Sequence, residues 1–67
     1  MIMYKIECEW NIGLNDLYMT QEGALNDLRK VDWKGLLDEE GTADFVIDGL
    51  TEEGLLEIKA VHVRDHD

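Results

Sequence analysis

Residues 2–12 read Ile2-Met3-Tyr4-Lys5-Ile6-Glu7-Cys8-Glu9-Trp10-Asn11-Ile12. Ile2, Tyr4, Ile6, Cys8, Trp10 and Ile12 fall on one side of an extended chain, and Met3, Lys5, Glu7, Glu9 and Asn11 on the other. Successive side chains of a strand point to opposite faces, so this alternation predicts a half-buried β-strand. Gly13 ends the pattern, and Gly13–Met19 reads as a loop or a single helical turn.

Downstream, Thr20 is a helix N-cap, and Glu22 suits the positive end of the helix dipole. Ala24, Leu25, Leu28 and Val31 follow at helical spacing, which predicts a helix over about 20–32. Leu36 and Leu37 would add a last turn, and Gly41 is a stop signal. The tetrapeptide Leu-Asn-Asp-Leu recurs at 14–17 and 25–28. Two copies of four residues fall short of a repeat architecture.

In Thr42–Asp48, Ala43, Phe45 and Ile47 alternate with Asp44, Val46 and Asp48, which predicts a second strand. Gly49–Gly54 reads as a turn, and Leu55–Val63 as a third strand. The order β-α-β-β and the right-handed crossover rule give an α+β fold. The expected sheet has three strands in the order 1-3-2, antiparallel between neighbours, with one helix on one face. The chain is expected to form one small domain over 1–67, ending in a polar tail at 64–67. The expected core is Ile2, Tyr4, Ile6, Cys8, Trp10, Leu25, Leu28, Val31, Phe45, Ile47, Leu56, Ile58 and Ala60.

Composition narrows the function classes. Six basic and sixteen acidic residues give the 67-residue chain a net charge of −10. Such a charge repels phosphates, which argues against direct nucleic-acid binding and against anionic membranes. The single Cys8 excludes an internal disulfide framework and suits a reducing cytoplasm. No apolar run reaches the length of a membrane span, and no signal-peptide pattern is present.

Chemistry-bearing constellations are sparse. The chain has no serine, and Cys8 lies mid-strand on the apolar face, where a thiol is inert. His62 and His66 are four apart, which is helix spacing and not strand spacing, so no metal site is expected from His62, Asp65, His66 and Asp67. Asp44–Gly49 lacks the central ligand of a calcium loop. The scattered glycines make no phosphate loop. The reading is therefore non-enzymatic, with no cofactor. Trp33 is a candidate binding hot spot if it is exposed.

The acid is concentrated in the second half, where residues 38–67 carry −8 against −2 for residues 1–37. Asp38, Glu39, Glu40, Asp44, Asp48, Glu52, Glu53 and Glu57 form the candidate partner-binding set. In the three-stranded arrangement, Glu7, Glu9, Asp44, Asp48 and Glu57 share the open sheet face with Lys5, Lys59, Val46, Val61 and Val63. A small domain normally carries a charge of about 2–8, and an excess destabilises it by self-repulsion. A protein partner with a basic surface would offset that repulsion.

In size and acidity the chain resembles the small accessory proteins of bacteriophages, restriction and CRISPR inhibitors among them. That resemblance implies an inhibitor covering a basic surface that normally holds nucleic acid. A structural module that forms a homo-oligomer through its sheet edge or open sheet face is the alternative.

Overall fold

A computed structural model describes residues 1–64 as an α+β fold. The order is β1 (Ile2–Cys8), α1 (Gln21–Leu28), α2 (Trp33–Leu37), α3 (Ala43–Glu52) and β2 (Leu56–His62). Among the described residues the sheet has two strands, β1 and β2, paired antiparallel. Tyr4 lies opposite Ala60, Ile6 opposite Ile58 and Cys8 opposite Leu56. The expected antiparallel pairing of the first and last strands is present.

The expected strand over Thr42–Asp48 is instead the start of α3. Thr42 accepts a hydrogen bond from the Phe45 N–H at 3.2 Å and caps the helix. Val46, Ile47 and Leu50 are buried, a set spaced for one helical face. Phe45, expected in the core, is 72% exposed. The expected turn over Gly49–Gly54 is also mostly helix. Its true stop is Gly54, at φ +77°. There the Gly54 N–H bonds Thr51 O at 3.1 Å, and the Leu55 N–H bonds Leu50 O at 2.9 Å. This is a Schellman closure, which needs a left-handed residue at Gly54.

The expected helix over about 20–32 ends early, and the expected last turn at Leu36 and Leu37 belongs to a separate helix, α2. α1 starts as anticipated, with Thr20 accepting from the Gly23 N–H at 3.0 Å. It stops after Leu28 because Asp32 begins a new helix, accepting from the Gly35 N–H at 3.0 Å. A methyl group at Gly35 would collide with that capping carboxylate, 2.9 Å from Asp32 Cγ. The Trp33 indole N–H donates to Leu28 O at 3.0 Å, a carbonyl at the end of α1 that also accepts from the Val31 N–H at 3.2 Å.

Leu28, Trp33, Val46, Ile47, Leu50 and Leu56 form the buried cluster, with Ile6, Cys8, Trp10, Leu25, Val31 and Ile58 packed around it. Ala24 is also fully buried. The core therefore sits at the Cys8–Leu56 end of the sheet. At the other end Ile2 is 49% exposed, and Ala60 and His62 are exposed. Ile2 and Ala60, expected in the core, lie beyond the helices. The molecule is accordingly elongated, 47 Å by 20 Å by 19 Å.

On its outer side β1 receives one antiparallel bridge, between Tyr4 and Tyr18. Their backbones exchange hydrogen bonds of 2.8 and 2.7 Å. The Tyr18 hydroxyl also donates to Asp27 Oδ2 at 2.8 Å, so the loop before α1 is fastened to both β1 and α1. Burial, reinforced by the bond to Asp27, pushes the Tyr18 phenol up to about 12.

Candidate functional site

Seven of the eight carboxylates expected to bind a partner lie on one continuous stretch. Asp38, Glu39 and Glu40 occupy the link between α2 and α3, Asp44, Asp48 and Glu52 lie on α3, and Glu53 is its C-cap. All are exposed. Asp38 also has a backbone duty: it closes α2 in the left-handed conformation at φ 55°.

At 100° per residue, Asp44, Asp48 and Glu52 follow one another at i, i+4 and i+8 along the exposed side of α3. Phe45 shares that side, opposite the buried Val46, Ile47 and Leu50. Its ring packs beside Gly41, where an added Cβ would lie 3.4 Å from Phe45 Cδ1. An exposed aromatic thus sits within a row of carboxylates.

The row is built against its own electrostatics. Like charges at i, i+4 cost about 0.2–0.5 kcal/mol per pair. Glu52 and Glu53 stand at the negative end of the α3 dipole, and no basic residue lies in the last turn. Arg29 offers the row one cation, bonding Asp44 Oδ1 at 2.8 Å and reaching Glu22 Oε1 at 3.3 Å. The Asp44 hydrogen bond raises the Arg29 guanidinium above its ordinary value. Among the described residues Asp48, Glu52 and Glu53 have no ion pair.

Glu57 belongs elsewhere. It lies on the open sheet face, directly opposite Glu7, with Lys5 opposite Lys59 one row along. Glu7 resolves these like-charge rows by contacting Lys5 at 3.2 Å and Lys59 at 3.7 Å. The hydrogen bond from Lys5 and the charge of Lys59 hold the Glu7 carboxyl below its usual range. The open face expected to carry Asp44, Asp48 and Val46 does not, because those residues are on α3, and Val46 is buried.

Trp33, considered as an exposed hot spot, is 4% exposed and belongs to the core. Phe45 is the exposed aromatic that the alternating pattern concealed. Reading 43–52 at helical spacing would have revealed it. Cys8 is half-buried and makes no disulfide. A cleft of about 380 Å³ beside the α2–α3 link is walled by Trp33, Lys34, Glu39, Glu40 and Ala43. Among the described residues no group of three or more His, Cys, Asp or Glu is arranged to hold a metal ion. His62 lies exposed on β2, and the other members of the weighed cluster, Asp65, His66 and Asp67, are outside the described residues. No described helix is long and apolar enough to cross a membrane. Comparison with known proteins finds no matching family model, no similar curated protein and no similar solved structure.

Proposed function

We propose that the chain is a non-enzymatic binding module whose exposed α3 face docks on a basic surface of a partner protein. The observation that carries this reading is Phe45, 72% exposed on the same side of α3 as Asp44, Asp48 and Glu52. An aromatic ring surrounded by charge is the composition of an interface anchor with a polar rim. The unpaired acid on α3 supplies a driving force, since a cationic partner would relieve its repulsion and speed encounter.

The partner set is Asp38, Glu39, Glu40, Asp44, Asp48, Glu52 and Glu53, around Phe45. A partner whose basic surface normally holds nucleic acid fits this chemistry, and the module would then act as its inhibitor, in the manner of phage anti-defence proteins. The reading places the protein in the cytoplasm, where Cys8 stays reduced.

The test is capture from a nuclease-treated lysate on immobilised protein, at low salt and at about 0.5 M, where charge attraction is heavily screened. Wild type is expected to retain a basic protein at low salt and to release it at high salt. Phe45→Ala should weaken retention, and reversal of Asp44, Asp48, Glu52 and Glu53 to lysine should abolish it. Full retention by that folded quadruple variant would sink the reading.

A further inference from the structure

The Val63 N–H donates to Met1 O at 2.8 Å, and the Glu9 N–H to Leu55 O at 3.0 Å. These bonds continue the β1–β2 register at both ends, so the odd-numbered residues of β2 are the ones that exchange hydrogen bonds with β1. Ile58, Ala60 and His62 consequently aim their N–H and C=O groups away from β1. No described residue bonds to them. Leu56, on the same side, is 2% exposed and covered, whereas Ala60 and His62 are exposed and Ile58 half-buried. The accessible edge is therefore Ile58–His62, and an unpaired edge is a template for another strand.

The charge around this edge is unlike that of the rest of the chain. Residues 1–6 and 58–64 contain Lys5, Lys59 and Arg64 and no carboxylate, although Asp65 and Asp67 follow in the sequence. The remaining residues hold three basic residues and all sixteen acidic ones. Two copies that meet along residues 58–62 bring none of their side-chain carboxylates face to face there.

We propose that Ile58–His62 is the pairing edge of a two-fold dimer, in which β2 of a second copy adds antiparallel with Ala60 opposite its own equivalent. Ile58 then pairs with His62 of the second copy, and the reverse, giving one continuous four-stranded sheet. No carboxylate enters this ladder. Lys59 comes opposite Val61 and keeps its own Glu7. On the helix side, the exposed Ile2 and His62 fall in one row with Ile58 and Ile6 of the second copy. Antiparallel pairing sends the two acidic helical layers in opposite directions. The two Leu56 positions lie about 27 Å apart along the sheet at about 3.4 Å per residue. That exceeds three Debye lengths of about 8 Å. Closed two-fold pairs are also the commonest assemblies. The dimer does not depend on what α3 binds.

Sedimentation equilibrium and light scattering over a range of concentrations test this. Wild type is expected to reach twice the 7.7 kDa of one chain. Raising salt from about 0.01 M to 1 M cuts the Debye length from about 30 Å to 3 Å and should tighten the dimer. Ala60→Pro removes an outward N–H and no bond to β1, as edge prolines do. Ala60→Glu sets two carboxylates face to face across the two-fold axis. Both variants should be monomers with the wild-type circular dichroism spectrum, and Ala60→Glu decides the matter if the proline variant does not fold. A wild type that stays monomeric throughout, a dimer that survives Ala60→Glu, or a dimer that loosens as salt rises would each overturn the assignment.

Discussion

The two ends of the sheet are built to opposite rules. At the Cys8–Leu56 end, three helices bury Leu28, Trp33, Val46, Ile47 and Leu50 against Leu56. At the Ile2–His62 end, the same strands run on past the helices, with Ile2, Ala60 and His62 exposed. The covered end holds the fold, and its helices with their caps and links, residues 21–53, carry ten of the sixteen acidic residues. The uncovered end, from residues 1–6 and 58–64, is acid-free and contributes backbone hydrogen-bonding groups. The contrast teaches that the packed core and the open strand edge are separated along one pair of strands.

The largest break in that contrast should come from Leu28, whose side chain is fully buried. Leu28→Ala is expected to cost about 2–5 kcal/mol. A domain of this size has about 3–5 kcal/mol to lose, so urea denaturation should find the variant largely unfolded. Ile2→Ala at the other end should cost about 1 kcal/mol or less. Equal losses at the two positions would erase the distinction between the ends.

Two glycines of one helix sharpen the picture at smaller scale. Gly54→Ala must place a Cβ in the left-handed conformation at φ +77° and should lose about 1–2 kcal/mol. Gly49→Ala lies inside α3 with open space around it and should gain about 0.5–1 kcal/mol. Opposite shifts of the urea midpoint are expected. A loss at both would mean that α3 ends before Gly49.

The smallest effect concerns the open face midway between the ends. The Glu7 carboxyl lies below its ordinary 4.5 in the folded protein, because Lys5 bonds it and Lys59 attracts it. A depressed carboxyl contributes stability that is present above the unfolded value and is lost as pH falls through the folded one. Wild type should exceed Glu7→Gln in urea midpoint at neutral pH, and the gap should narrow as pH falls below the ordinary 4.5. A gap that does not change with pH would assign the benefit of Glu7 to packing.

Strand β1 was legible because its apolar residues alternate, although the alternation runs on to Ile12 and the strand stops at Cys8. The Thr20 cap and the antiparallel pairing of the first and last strands were legible for similar local reasons. Residues 42–48 were not. Phe45, Val46 and Ile47 are apolar at consecutive positions, so both periods fit a short window. Leu50 breaks the tie, because it joins Val46 and Ile47 only on a helix. Gly49 looked like a turn, yet it sits within α3, and Gly54 is the residue that ends it. The candidate site inherited that error. Seven carboxylates were correctly seen as neighbours in sequence, but the strand reading put Phe45 in the core and joined Asp44 and Asp48 to Glu57. The Trp33 bond to Leu28 O and the Tyr18 bonds to Tyr4 and Asp27 are contacts that no spacing rule foresees.

The pairing of Ile2 with His62 also dictates an order of events. Sixty residues separate these partners, and every strand contact in the sheet spans at least the length from Cys8 to Leu56. Closing so long a loop costs entropy before any contact rewards it, and such topologies fold slowly for their size. Thr20, Asp32 and Thr42 each mark a helix start from a few residues away, but helices this short are marginal alone and depend on the core for stability. During synthesis, the apolar face of β1 must wait unpaired until Leu56–His62 emerges. Pairing of β2 is then the step that joins three short helices and a waiting strand into one folded unit.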